Sequence, residues 1–190
     1  MRIGESGTLV SEAAYLQIAL DDPDTPWKLH HGQLREKPAM TCDHNWDMVK
    51  LGHMLLSQLD WNEFQVRVNA GRVSRPTTTY YIPAVFVLPT KLTEPLRGRA
   101  DLLDAYAVPL PLVVEVWSRS IGNYDVNEKL DEYRRRGDLE TWRLHPYERT
   151  LTAWRRQADG SYEEALYQGG VVRPTALPGV AIDLDALFAL

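Results

Sequence analysis

The run Leu112-Val113-Val114-Glu115-Val116-Trp117 decides how this chain is read. Its composition is that of a buried β-strand, interrupted by a single carboxylate. Side chains alternate along a strand, so Val113, Glu115 and Trp117 share one face while Leu112, Val114 and Val116 share the other. An ionised group among apolar neighbours needs a metal ion, a basic side chain or a set of hydrogen-bond donors. The alternative is that Glu115 lies near enough to the strand end to be solvated, although strand ends are also where α/β proteins collect their active groups.

The residues that follow add weight to the functional reading. Ser118-Arg119-Ser120-Ile121-Gly122-Asn123-Tyr124 is rich in turn formers, and residues 125–137 have the pattern of an amphipathic helix. Val126, Leu130 and Tyr133 recur at i, i+4 and i+7 as its apolar stripe, and Gly137 is its stop signal. Lys129 falls roughly 70° from the centre of that stripe, with Asp125 one turn earlier on the same flank. The two make an ordinary i,i+4 surface pair, or they border a site built around Glu115.

The wider composition narrows the class. A chain of 190 residues with 44% hydrophobic and 25% charged residues holds one well-cored domain, expected to span residues 1–190. No apolar run has the length of a membrane span and residues 1–7 lack the apolar core of a signal peptide, so the expected location is the cytoplasm. Cys42 is the single cysteine, which excludes an internal disulfide and a cysteine-based zinc cluster. A net charge of −5 argues against bulk electrostatic coating of nucleic acid, but leaves room for a local basic surface built from Arg134, Arg135 and Arg136, or from Arg72, Arg75, Arg97 and Arg99. The histidines are scattered; on a strand His30 and His31 would point to opposite faces, and His44 and His53 are not at i,i+4.

Along the chain, the pattern predicts a short helix over residues 11–20 and a hairpin of residues 27–29 and 33–37 hinged at His31-Gly32. A longer helix is expected over residues 43–59, capped by Asp43, with Trp46, Met48, Val49, Leu51, Leu55, Leu56 and Leu59 on a broad apolar face. Strands are expected at 63–69, at 80–88 and at the Glu115 run, with a loop and short helix over 92–107. Three meander strands follow at 141–144, 149–156 and 161–167, the last two joined at Asp159-Gly160. The tail ends in a short helix. Together these give an α/β or α+β domain with a central mixed sheet flanked by helices.

The order of these elements resembles the Uma2 family, a group assigned as endonucleases within the PD-(D/E)XK superfamily, over nearly the entire chain. The resemblance is carried by Trp27-Lys28-Leu29-His30-His31-Gly32-Gln33-Leu34, Ile82-Pro83-Ala84-Val85-Phe86-Val87, Leu112 to Ser118, and Asp125 to Lys129 with Tyr133 to Gly137. Leu139 to Pro146 and Leu177-Pro178-Gly179-Val180 extend it. It implies a restriction-endonuclease-like α/β core, a DNA substrate and a Mg²⁺ or Mn²⁺ cofactor; a homodimer is a further expectation from the family. Glu115 and the Val116 carbonyl match metal ligands, and Lys129 matches the lysine that stabilises the attacking water or the developing phosphorane charge. The pattern is broken elsewhere. Ala84 stands where the family has its main metal-binding aspartate, Lys28 where it has an early glutamate, and His31 and Pro111 at two further acidic positions.

Magnesium takes hard oxygen ligands and usually one or two carboxylates. With Ala84 in place of the aspartate, a metal would bind weakly unless Asp125, Asp101 or Glu94 substituted, so nuclease chemistry is expected to be impaired and Glu115 to pair with Lys129. Three functions therefore compete: a metal-dependent endonuclease, a silent relative that binds DNA or a protein partner, and a homo-oligomer subunit joined through exposed Trp154, Tyr162 and Tyr167.

Overall fold

The computed structural model describes residues 9–119 and 122–189, with backbone alone for 122–126. Its elements in chain order are α1 (Glu12–Asp21), β1 (Trp27–His30), β2 (Gln33–Glu36), α2 (Cys42–Leu56), β3 (Phe64–Val68), β4 (Arg72–Arg75), β5 (Thr79–Tyr81) and β6 (Val85–Pro89). A 3₁₀ turn (Thr90–Leu96) leads to β7 (Ala105–Tyr106), β8 (Leu112–Val116), α3 (Gly122–Arg136), β9 (Glu140–His145), β10 (Thr150–Arg156) and β11 (Tyr162–Tyr167). The short pair β12 (Val171–Val172) and β13 (Ile182–Asp183) precedes α4 (Leu184–Leu187).

Two larger sheets and the short β12–β13 pair stand where one central sheet was expected. The larger has the order β11-β10-β9-β8-β6-β3, and the smaller β2-β1-β5-β4-β7. The cause is a break in what reads as one strand over residues 80–88. Pro83 has no N–H for a ladder, and around it the chain leaves β5 in the smaller sheet and enters β6 in the larger. β4, read from the sequence as loop, pairs with both β5 and β7.

β8 and β9 run parallel, which requires a crossover, and α3 provides it. Gly137, at φ 79°, ends that helix. Its N–H donates to the Arg134 carbonyl and the Asp138 N–H to the Tyr133 carbonyl, the paired bonds of a left-handed C-terminal cap. The other neighbours in the large sheet are antiparallel.

β8 is the centre of the packing. Leu112, Val114 and Val116 meet Met48, Leu51 and Leu55 of α2 on one face, while Val113 meets Phe86, Tyr81 and Tyr133 on the other. Burying each such aliphatic side chain contributes about 1.5–3 kcal/mol. Gly52 lets α2 approach β3, since a Cβ there would lie 2.5 Å from a Val68 methyl.

The face that α2 buries differs from expectation. Thr41, not Asp43, caps the helix by accepting from the His44 N–H. Trp46, Val49 and Leu56 are exposed, whereas His44 and Asp47 are buried. A helix with apolar residues on most sides can rotate, and here its small residue, Gly52, selects the contact.

Candidate functional site

Glu115 is 7% exposed on the β8 face that looks toward α3. Two residues one helical turn apart on α3 reach it: the Tyr133 hydroxyl donates to Oε1 at 2.5 Å and Lys129 Nζ donates to Oε2 at 3.2 Å. Burial, followed by the Glu115 charge, pushes the Tyr133 phenol well above its ordinary range, so it stays protonated and donating. Lys129 also lies 5.8 Å from the Tyr81 ring centre. The expected Glu115–Lys129 pair is present, and Tyr133, read from the sequence only as an apolar-stripe residue, is its third member.

More cations gather around this group. Lys37 follows β2, and its ammonium donates to Asn69 Oδ1 at 2.6 Å and the Ile82 carbonyl at 3.0 Å. Burial lowers it to about 8; the nearby charges of Lys129 and Lys28 act the same way and that of Glu115 opposes them. Lys28, on β1, is 6% exposed. His44, in the first turn of α2, is pushed down by burial and by Lys37, against the pull of Glu115 and of the Val116 carbonyl beside it. Its Nδ1 has no hydrogen-bond partner. The carbonyl matched to a metal ligand thus faces an imidazole.

Ala84 lies just before β6, whose first residue, Val85, pairs with Val114. Ala84 is buried at 1% exposure, apolar as read from the sequence, and belongs to the core cluster with Met48, Val114 and Val116. No group of three or more His, Cys, Asp or Glu suited to a metal occurs among the described residues.

The proposed substitute acids fare unequally. Asp101 is on the surface in a 2.7 Å pair with Arg99, which helps hold its carboxyl down to about 2. Glu94 is exposed on the 3₁₀ turn. The side chain of Asp125 lies outside the described residues. His31 leaves the strand at φ 48° into an exposed turn, so it does not oppose His30 as a strand residue would; their rings are 4.4 Å apart. His30 instead meets the Tyr81 hydroxyl at 2.7 Å and Glu128 at 3.0 Å.

Two surface expectations are corrected. Arg136 is not part of a basic patch: it is 9% exposed and pairs with fully buried Asp138 at 2.9 Å. Arg75 pairs with Glu132 and Arg72 donates to the Tyr15 hydroxyl. The supposed contact aromatics are likewise committed within the chain. Trp154 is 5% exposed and donates to Glu164, Tyr162 donates to the Asp138 carbonyl, and Tyr167 accepts from Arg155.

A family model named Uma2, described as "Putative restriction endonuclease", matches residues 13–185. The chain belongs to the Uma2 family. A crystal structure described as a "putative nuclease belonging to DUF820" from Anabaena variabilis superposes with a TM-score of 0.71 at 14% identity, covering 89% of this chain and 96% of that one. At that identity the likeness establishes the shared fold alone. No protein of curated function matches the chain. No helix among the described residues is long and apolar enough to cross a membrane. The Uma2 assignment and the neighbour's shape agree with the restriction-endonuclease-like α/β class read from the sequence.

Proposed function

We propose that this Uma2 protein is a nuclease-fold member whose metal-dependent hydrolysis is impaired and whose remaining role is to bind DNA. One observation carries the reading: among the described side chains, Glu115 is held by Lys129 and Tyr133 and stands near Lys37 and His44, where the family pattern has several acids. Both Glu115 oxygens already accept, from Lys129 and Tyr133. Ala84 supplies no side-chain oxygen.

The described donor set does not fit Mg²⁺ or Mn²⁺. A hard dication seeks several oxygens, and the described side chains around Glu115 offer it one carboxylate already committed to Lys129 and Tyr133. Lys129 and Tyr133 hold the carboxylate between strand and helix, and no hydrolytic step follows from that arrangement. Family membership supports a phosphodiester as the partner, despite a net charge of −5. We further place the protein in the cytoplasm, where exposed Cys42 would stay reduced.

Plasmid nicking in Mg²⁺ and in Mn²⁺ tests the catalytic part. The wild type is expected to give no cleavage above background, and Ala84→Asp combined with Lys28→Glu to gain it. Wild-type nicking that is abolished by Glu115→Ala would overturn the reading. DNA binding is checked by fluorescence anisotropy at several salt concentrations, where affinity should fall as salt rises and persist without divalent metal.

A further inference from the structure

A cavity of about 250 Å³ lies between α2 and the β9–β10 turn, lined by Asp43, Trp46, Asp47, Pro146, Tyr147 and Arg149 together with residues 188–189. Its residues are distinct from the Glu115 group, and nothing in the fold requires its composition. Asp43, Trp46 and Asp47 share one helical face at i, i+3 and i+4.

Asp47 is the unusual member. It is 5% exposed and makes no hydrogen bond or ion pair among the described residues. A buried carboxylate without a partner is costly. The cost is visible in its proton affinity: burial, aided by neighbouring Asp43, raises Asp47 to about 6, while Lys50 and Arg149 pull it down. Lys50 does not supply the missing partner, because its ammonium is held by the Ala186 and Ala189 carbonyls, both at 2.7 Å. Arg149 is exposed on the turn and forms no ion pair with either aspartate.

Two large aromatic side chains complete the cavity wall. Trp46 is 51% exposed and Tyr147 is 55% exposed. Exposed rings beside an unpaired carboxylate are the elements of a cation cage, in which the ring faces and the acid act on the same charge. A planar guanidinium fits better than a compact ammonium, since it stacks on aromatic faces while its parallel N–H groups pair with a carboxylate.

We propose that this cavity is a binding site for a guanidinium group, with Asp47 as its ion-pair partner and Trp46 and Tyr147 as its aromatic walls. Two sources share that chemistry: a small free guanidine and an arginine side chain on a partner peptide. The groups facing Asp47 are Asp43 and Lys50 on α2 and Arg149 on the turn, so binding should follow ionisation of Asp47 above its own titration and weaken when it is protonated.

Isothermal titration of the full chain with agmatine and, separately, with a short arginine-containing peptide tests the proposal. Saturable binding of either is expected near neutral pH, weaker by about tenfold near pH 5 and in Asp47→Asn, and also weakened in Trp46→Ala. Asp47→Asn keeps the shape of a partnerless side chain, and Trp46 is exposed, so neither change threatens the fold. Agmatine binding alone assigns the free small molecule, and peptide binding alone assigns the side chain. No saturable binding of either at millimolar concentration overturns the proposal. So does binding that Asp47→Asn leaves intact, or binding of a nucleotide such as dGMP with agmatine inert.

Discussion

Asp138 and Glu115 are both buried carboxylates beside α3, but their surroundings are of different kinds. Asp138 sits just past the end of the helix, fully buried, and accepts from Arg136 through Nε at 2.9 Å and Nη2 at 3.2 Å and from the Leu110 N–H at 2.8 Å. Arg136 spends its remaining donors on the carbonyls of Ser74, Tyr106 and Val108. One acid meets one base, and every fork of the guanidinium is used. Around Glu115, Lys129 and Tyr133 hold the carboxylate, and Lys37 and His44 lie near enough to feel its charge while burial lowers both. The first arrangement is a structural clamp joining α3 to the loop before β8. The second couples several titratable groups to one carboxylate, the kind of arrangement that clusters at functional sites.

The sharpest way to break this contrast is to remove the clamp. Asp138→Ala leaves Arg136 buried and uncompensated, so denaturant unfolding should show a loss of about 3–5 kcal/mol. A smaller effect is expected from Tyr133→Phe, which deletes the hydroxyl bonded to Glu115; about 1.5–3 kcal/mol should be lost in the same measurement.

Lys37→Met should act in the opposite direction. The folded protein holds this ammonium at about 8 against an ordinary 10.5, so the unfolded chain binds the proton more readily. The penalty is fully present below about pH 8 and disappears as pH rises to about 10.5. The variant should therefore gain on the order of 1–2 kcal/mol at neutral pH, with the gain vanishing in strong base. A clamp residue would show no such gain.

Asp47→Asn extends the comparison to a third buried acid and should have the smallest effect. Its folded value of about 6 lies above the ordinary 3.8, so its cost is absent in acid and grows as pH rises through about 6. The asparagine variant should be more stable by about 1 kcal/mol at neutral pH and equal to wild type near pH 4.

Much of the fold can be read locally. The left-handed pair His31-Gly32 turns the first hairpin, Gly137 stops α3, and Gly160 turns the last hairpin, all at positive φ as their residue types suggest. The valine run around Glu115 became β8 with the faces that alternation assigns. Periodicity does not report where a strand changes sheet, so the break at Pro83 was missed, and with it β4. Glu115 and Lys129 were legible because strand and helix are consecutive. Lys37 and His44 were not, because they join the group through pairing of β1, β5 and α2 with distant parts of the chain. Tyr133 could have been found, since it lies four residues beyond Lys129 on a helix. Arg136 misled for a related reason: three consecutive arginines look like a surface patch, and only the cap at Gly137 turns the last one inward.

Binding of Mn²⁺ measured by isothermal titration, with no nucleic acid present, tests the proposed impairment of the Glu115 site most directly. No saturable binding is expected for the wild type, and a measurable site for Ala84→Asp with Lys28→Glu, which introduces acids at two positions where the family pattern has them. Saturable wild-type Mn²⁺ binding that Glu115→Gln removes would contradict the account.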